Sequence, residues 1–237
     1  MTLPVETYLA AIERDAAAVA DCLREGPLDA AVDGCPGWDL RELVVHLGRT
    51  HRWVTAALAS AQQPAYPPRP DPDRLAAWFS EGAADLVAAL RSADPARPCW
   101  SFPPETTTSA FWIRRQAQET AVHRWDAQHT LGRADGIDAA LAADGVDEVA
   151  RLFYPRRVQL GRGEPLGVAV TLRPEDAGEP VVLGEGTPVA QVSGPAEDLL
   201  LALWHRRAGG DLVARGALRV TGDRTAAVRV LTEVLVP

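Results

Sequence analysis

The sequence contains no lysine: all 24 of its basic residues are arginine. That excludes lysine Schiff-base chemistry outright. No basic run is longer than Arg-Arg, and the formal net charge is −8, so a nucleic-acid partner is not expected. Cysteine is scarce as well. Cys22, Cys35 and Cys99 are odd in number, widely spaced and without a CxxC pair. They supply neither a disulfide framework nor a cysteine zinc site, and the pattern reads as a reduced, cytoplasmic chain. Long apolar runs are also missing. No stretch approaches the roughly 18–20 residues that span a bilayer. The opening MTLPVETYLAAIERD lacks the basic start and apolar run of a secretory signal, so no membrane partner is expected either.

What is present is the material of a core. Of 237 residues, 47% are hydrophobic and 24% charged, the balance of a globular protein that needs no disulfide or metal staple. A metal ion in such a chain would serve function rather than folding.

The first two-thirds read as helices. Val5, Leu9, Ile12, Val19 and Leu23 recur at helical steps until Gly26-Pro27. Asp39 stands three residues before Glu42, a capping-box-like start, and the helix it opens runs to about Ala61 with Leu40, Leu43, Leu47, Val54 and Leu58 on its buried face. The proline-rich PAYPPRPDP predicts an extended connection. A third helix is expected from about Pro72 to Ser92 (Leu75, Phe79, Leu86 and Leu90 inward), a fourth from about Ser109 to Leu131 and a fifth from about Ile137 to Tyr154. After Arg157 the apolar runs shorten: 166–172, 181–183, 189–192, 212–214 and 218–220 read as strands, with helices at about 195–207 and 222–235. The expected fold is α+β, with a helical domain over 1–157 followed by a small mixed α/β domain over 160–237.

Five histidines are available. Glu119 and His123 are four apart on one helix, so both face one way about a turn apart and reach a single ion. His129 lies about 120° further round the helix and points elsewhere. His46 and His51, about 140° apart, cannot both face that ion. The spacing leaves open which of them does. Glu119 has a second possible partner, Arg115 on its own helix. Two imidazoles and one carboxylate leave a coordination position free, as in catalytic rather than structural zinc sites, and helical bundles build such sites from inward side chains of neighbouring helices. Asp126, three residues past His123, is placed to brace it.

The stretches Cys35-Pro-Gly-Trp-Asp-Leu-Arg-Glu-Leu-Val-Val-His46-Leu-Gly, His51-Arg-Trp53 and Glu119-Thr-Ala-Val-His123-Arg-Trp-Asp126 resemble the mycothiol-dependent maleylpyruvate isomerase family, part of the larger group of DinB-like four-helix metal proteins. Ser193-Gly-Pro-Ala-Glu-Asp-Leu-Leu-Leu-Ala-Leu-Trp204 resembles that family's C-terminal domain, a small unit similar to sterol carrier proteins. The resemblance implies metal ligands at His46, Glu119 and His123, which leaves His51 at the helix flank or pocket rim. It implies zinc, with nickel, iron or manganese also compatible with the ligand set, and mycothiol as co-substrate against a small electrophile, in an isomerase or a transferase. It also implies an arginine from the C-terminal domain, for which Arg206, Arg207 and Arg219 are the candidates and Arg207 is taken as the catalytic one beside Asp126. Arg52, Trp53 and Arg124 flank the ligand segments and are expected to contact the thiol cofactor, in a cleft between the two domains. Cys35 is expected to pack the turn that contains it. Trp38 and Trp125, like Trp53, are expected in the core or the pocket wall. Two other functions fit the same ligand set: a non-catalytic small-molecule binder or sensor, and a metal-dependent hydrolase using water as nucleophile, with Asp126 or Glu42 as its base.

Overall fold

A computed structural model of the chain describes residues 3–236 and shows an α+β fold. Helices α1 (Val5–Glu25), α2 (Leu40–Leu58), α3 (Leu75–Ser92) and α4 (Ser109–Thr130) come first. Next are α5 (Ala139–Glu148), a π-helical stretch (Val149–Phe153) and α6 (Tyr154–Gln159). The order then runs β1 (Ala169–Pro174), β2 (Val181–Gly184), β3 (Pro188–Gly194), α7 (Ala196–Leu203), α8 (Gly209–Ala214), β4 (Arg219–Gly222) and α9 (Arg224–Thr232). The chain forms two compact units, one over Pro4–Asp135 and the other beginning at Gly136. Among the described residues no helix is long and apolar enough to cross a membrane.

In the first unit α1 packs on α3 and α4, and α2 packs on the same two helices. Leu9, Ile12 and Val19 of α1, Leu40, Leu43 and Leu47 of α2, and Phe79, Leu86 and Leu90 of α3 are buried, as their helical spacing requires. Asp39 caps α2, its Oδ1 accepting from the Glu42 backbone N–H at 2.8 Å, which satisfies one of the helix's orphan donors.

Two glycines let α2 and α3 approach closely. A Cβ at Gly48 would stand 2.3 Å from Cζ3 of Trp78, and one at Gly82 would strike the Arg52 guanidinium. A tryptophan ring cannot fold out of the way as a flexible side chain does. Gly48→Ala is therefore expected to lower stability. The overpacking costs about 1–3 kcal/mol, more than the ~1 kcal/mol gained in helix propensity, and a lowered midpoint in urea unfolding checks it.

Helix α4 is of another kind. It buries Trp112, Ile113 and Val122, and with them Arg115, Gln118, His123, Arg124, Asp126 and Gln128. Buried polar groups are tolerable only with partners, and the Arg124 group shows how they are met. Its Nη1 donates to Gln128 Oε1 at 2.9 Å and to the Asp135 carbonyl at 2.5 Å, and its Nε lies 3.4 Å from buried Asp15 of α1. Such a helix has no apolar stripe to read.

The second unit holds a sheet in the order β2-β1-β3-β4. β1 runs antiparallel to β2 and parallel to β3, and β4 closes the other edge antiparallel to β3. Helices α7 and α9 pack on β1 and β3; Leu199, Leu200, Val230 and Leu231 of the helices and Val170, Leu172 and Val192 of the strands are buried.

The structure departs from the sequence expectation in two places here. Residues 212–214 are helical, in α8, rather than a strand. Three apolar residues cannot separate a strand from a helical turn, and the place beside β3 is taken by β4. The division between units falls at 135/136 rather than near 157. Helix α5 packs on α7, and its Ala143 meets the turn at Gly178, so it belongs with the sheet. The helical run beyond it continues to Gln159 through the π-helical stretch, where the Tyr154 N–H bonds Val149 O. Pro155 explains the widening, because it has no N–H to donate and its ring crowds the carbonyl four residues earlier.

Among the described residues, His205, just past α7, is the non-glycine residue with positive φ, at +57°. Its Nε2 sits 2.9 Å from the Glu233 carbonyl. Left-handed backbone costs a side-chain-bearing residue about 1 kcal/mol. Neither His205→Gly nor His205→Ala keeps the imidazole bond, so the glycine variant should be the more stable of the two by about 1 kcal/mol in thermal or urea unfolding.

Candidate metal centre

The site begins with the loop before α2. The Trp38 N–H bonds Cys35 O at 3.0 Å, with Pro36 second in the turn and Gly37 third at φ +84°, the residue pattern of a type II turn. The loop is pinned by Val32 N–H to Trp38 O and by Leu40 N–H to Ala30 O, each 3.0 Å. Pinned this way, Trp38 lies over the first turns of α2, its ring 4.8 Å from that of His46 and 6.3 Å from that of His123.

Helix α2 supplies His46 and α4 supplies Glu119 and His123. Glu119 Oε1 stands 3.0 Å from His46 Nε2 and 3.5 Å from His123 Nε2, and one ligand atom from each residue lies within 4.8 Å of the others. The two imidazoles meet edge to face at 5.2 Å. Asp126 Oδ2 is 3.0 Å from His123 Nδ1 and accepts from the Cys35 thiol at 3.6 Å. The other Glu119 oxygen, Oε2, accepts from Arg115 Nη2 at 3.0 Å. Glu119 thus serves both partners that its spacing allows, His123 and Arg115.

The electrostatics follow from these contacts. Burial alone would raise the Glu119 carboxyl, but hydrogen bonds from His123 and His46 and the nearby positive charges outweigh it and hold the carboxyl well below its usual range. Burial likewise works against protonated His123, and its bonds to Asp126, Cys35 and Glu119 outweigh that, so the imidazole is pushed well above its ordinary value. In the absence of an ion the cluster is a hydrogen-bonded imidazolium–carboxylate group. Its geometry also suits a dication. Two ligand atoms at zinc-bond length in a tetrahedral arrangement stand about 3.4 Å apart, and the spacings at Glu119 Oε1 bracket that. His46 keeps 32% of its side chain exposed, so the group is reachable from outside.

The other site candidates lie as follows. His51 is fully buried rather than at a flank or rim. Its Nε2 is 3.1 Å from Thr120 Oγ1 and its ring 5.7 Å from that of Phe79. The two histidines stand about 140° apart on α2, and the second position is closed off between Thr120 of α4 and Phe79 of α3. His129 stacks on Trp125 at 4.4 Å. Arg52 donates to the Trp78 carbonyl at 2.5 Å and lies over the Trp78 ring. Trp53 donates to the Pro64 carbonyl at 3.0 Å and packs on Tyr66, Trp100 and Trp112. Arg124 joins the Asp15 and Gln128 network described above. None of these contacts is with the ligand group. In the second unit Arg207 donates to Asp198 at 2.5 Å and to Glu197 at 3.2 Å, Arg219 pairs with Glu175, and Arg206 bonds the Trp204 carbonyl at 2.8 Å. Trp38 stands at the wall of the group, as the sequence reading expects, and Cys35 sits in the turn before it. The signal for both was their shared turn, whose Pro-Gly pair fixes where each side chain goes.

Residues 9–128 match the family described as the mycothiol maleylpyruvate isomerase N-terminal domain, and residues 140–229 match the corresponding C-terminal domain. No curated protein matches the chain. Among solved structures, a mycothiol-dependent maleylpyruvate isomerase and a histidine-to-alanine mutant of it are similar, with TM-scores of 0.63 and 0.65. Each is 16% identical, over 85% of this chain and 91% of the other, which shows a common fold. With the N-terminal domain matched over half the chain and the C-terminal domain following in order, this protein belongs to the mycothiol maleylpyruvate isomerase family.

Proposed function

We propose that the protein is a metal-dependent enzyme that uses a low-molecular-weight thiol, mycothiol first among the candidates, against a small electrophile, as an isomerase or transferase of the maleylpyruvate isomerase type. The observation that carries this reading is the convergence of His46 Nε2, His123 Nε2 and Glu119 Oε1 at 3.0 and 3.5 Å on a partly exposed face of the bundle. Two nitrogens and one oxygen suit zinc, and admit nickel, iron or manganese. The names of the family and of the similar solved structures support the thiol.

Free thiols are mostly protonated at neutral pH and are then poor nucleophiles; a bound dication would supply the positive charge that favours the thiolate. The chain's own residues do the rest. His46, Glu119 and His123 would hold the ion. Asp126, accepting from His123 Nδ1, fixes the tautomer that turns the Nε2 lone pair toward the group. Trp38 covers both rings and gives the site an apolar wall. In the isomerase case the thiolate adds to the conjugated double bond. A C–S bond forms and the electron pair moves onto the substrate's oxo group as an enolate. The former double bond, now single, rotates. The pair then returns, the C–S bond breaks and the thiolate leaves unchanged. In the transferase case the adduct takes a proton and is released.

The test is metal analysis of protein purified without a histidine tag, followed by assays with mycothiol over a panel of electrophiles beginning with maleylpyruvate. About one divalent ion per chain and turnover that needs both ion and thiol are expected. Protein that holds none of zinc, nickel, iron or manganese, or turnover indifferent to the thiol, overturns the reading.

A further inference from the structure

The two oxygens of Glu119 have different partners. Oε1 faces His46 Nε2 and His123 Nε2, while Oε2 accepts from Arg115 Nη2 at 3.0 Å. Arg115 and Glu119 are i,i+4 on α4, so the helix itself sets the pairing. The Arg115 side chain is 4% exposed, and a guanidinium keeps its proton wherever it is placed. Its bond to Oε2 is therefore charge-assisted at every working pH and shielded from water.

We propose that Arg115 is a positioning residue that restricts Glu119 to one donor oxygen, Oε1, and so keeps a place at the ion open for the thiol sulfur. The inference rests on the metal reading above. A carboxylate free to bind through both oxygens would, with two imidazoles, fill all four places of a tetrahedral ion, whereas one held by Arg115 fills one and leaves a place open. The arginine charge also offsets that of Glu119. Less negative charge then reaches the ion from its protein ligands, and more of the ion's own charge acts on an incoming thiol.

Cobalt(II) is the probe, because a thiolate bound to it adds a near-ultraviolet charge-transfer band. The wild-type protein loaded with cobalt should gain that band when a simple thiol such as 2-mercaptoethanol is added. Arg115→Met, which keeps the length and apolar stem but not the charge, should still take up cobalt but gain little of that band, because Oε2 then occupies the open place. A merely structural role would lower the folded fraction and leave the spectrum of the folded protein unchanged. An Arg115→Met spectrum identical to wild type overturns the proposal. Should Arg115→Met fail to fold, zinc-edge X-ray absorption of the wild type decides instead, with one-oxygen ligation by Glu119 expected and two-oxygen ligation overturning it. A wild-type protein that binds no cobalt and no zinc overturns the metal reading beneath, a result distinct from either of these.

Discussion

Replacing His123 with alanine is expected to take the bound divalent ion from about one per chain to near none, as measured by metal analysis after exhaustive dialysis. His123 sits at the centre of the group. Its Nε2 faces Glu119 Oε1 at 3.5 Å, its Nδ1 faces Asp126 at 3.0 Å, and its ring meets that of His46 at 5.2 Å. Without it, two donors remain on two different helices, too few for a stable site. A milder substitution separates holding from bracing. Asp126→Asn keeps all three donors and removes the charge that orients His123, so affinity should fall about 10–100-fold with the ion still measurable in competition titrations. Equal loss in the two variants would show that Asp126 does more than orient. The pH dependence has a definite sign as well. His123 is held well above its ordinary value by Asp126, Cys35 and Glu119 against the effect of burial. An ion must displace that proton, so apparent affinity should fall as pH drops below the raised value, and binding should release protons into a weakly buffered solution.

How much of this was legible in the sequence depended on the element. Helices α1, α2 and α3 were readable because each has one face to bury, and Leu9, Leu43, Leu47, Phe79 and Leu86 sit where the period puts them. The start of α2 was readable from Asp39 and Glu42, a local contact that needs no tertiary knowledge. The four-residue spacing of Glu119 and His123 is likewise a property of one helix. What distinguishes His46 from His51 is a property of two. Which position on α2 is closed off between α3 and α4, as His51 is, and which stays partly exposed beside Glu119, as His46 does, depends on how the helices cross, and that depends on Gly48 and Gly82 letting α3 close in. The periodicity left the choice open, and the family resemblance made it. The boundary at 135/136 was hidden for a related reason. Helix α5 carries an apolar face that would suit the bundle or the sheet equally, and only its contact with α7 assigns it. Residues 212–214 misled because a three-residue apolar run has no period to measure.

His51 carries the largest stability effect. It is fully buried, and burial pushes its pKa down to about 3; the positive charges of Arg52, His46 and His123 add to this, while the negative charge of Glu119 opposes it. Its Nε2 lies 3.1 Å from Thr120 Oγ1, and its Nδ1 has no partner. A protonated ring would need acceptors for both nitrogens and has at most one. Above about pH 6.5, the ordinary histidine value, the ring is neutral folded or unfolded and contributes no pH dependence. Below it the unfolded chain takes up a proton that the folded chain refuses, so stability falls as pH drops from about 6.5 toward 3 and levels off beneath that. The slope approaches one proton, about 1.4 kcal/mol per pH unit, and the full span comes to about 5 kcal/mol. That is comparable to the whole stability of many domains, about 5–15 kcal/mol. Urea unfolding of wild type and His51→Leu, measured in chelator from pH 7.5 down to pH 4.5 (about two units below that ordinary value), isolates this group. Glu119 and His123 titrate in both proteins and largely cancel in the difference. The leucine variant should be less stable at neutral pH, because Thr120 loses its partner and the ring's packing on Phe79 is disturbed, yet it should lose less on acidification. The two stability curves should therefore converge as pH falls. Curves that stay parallel would show that His51 takes up its proton in the folded state as easily as in the unfolded one, which a ring closed off among α2, Thr120 and Phe79 has no means to do.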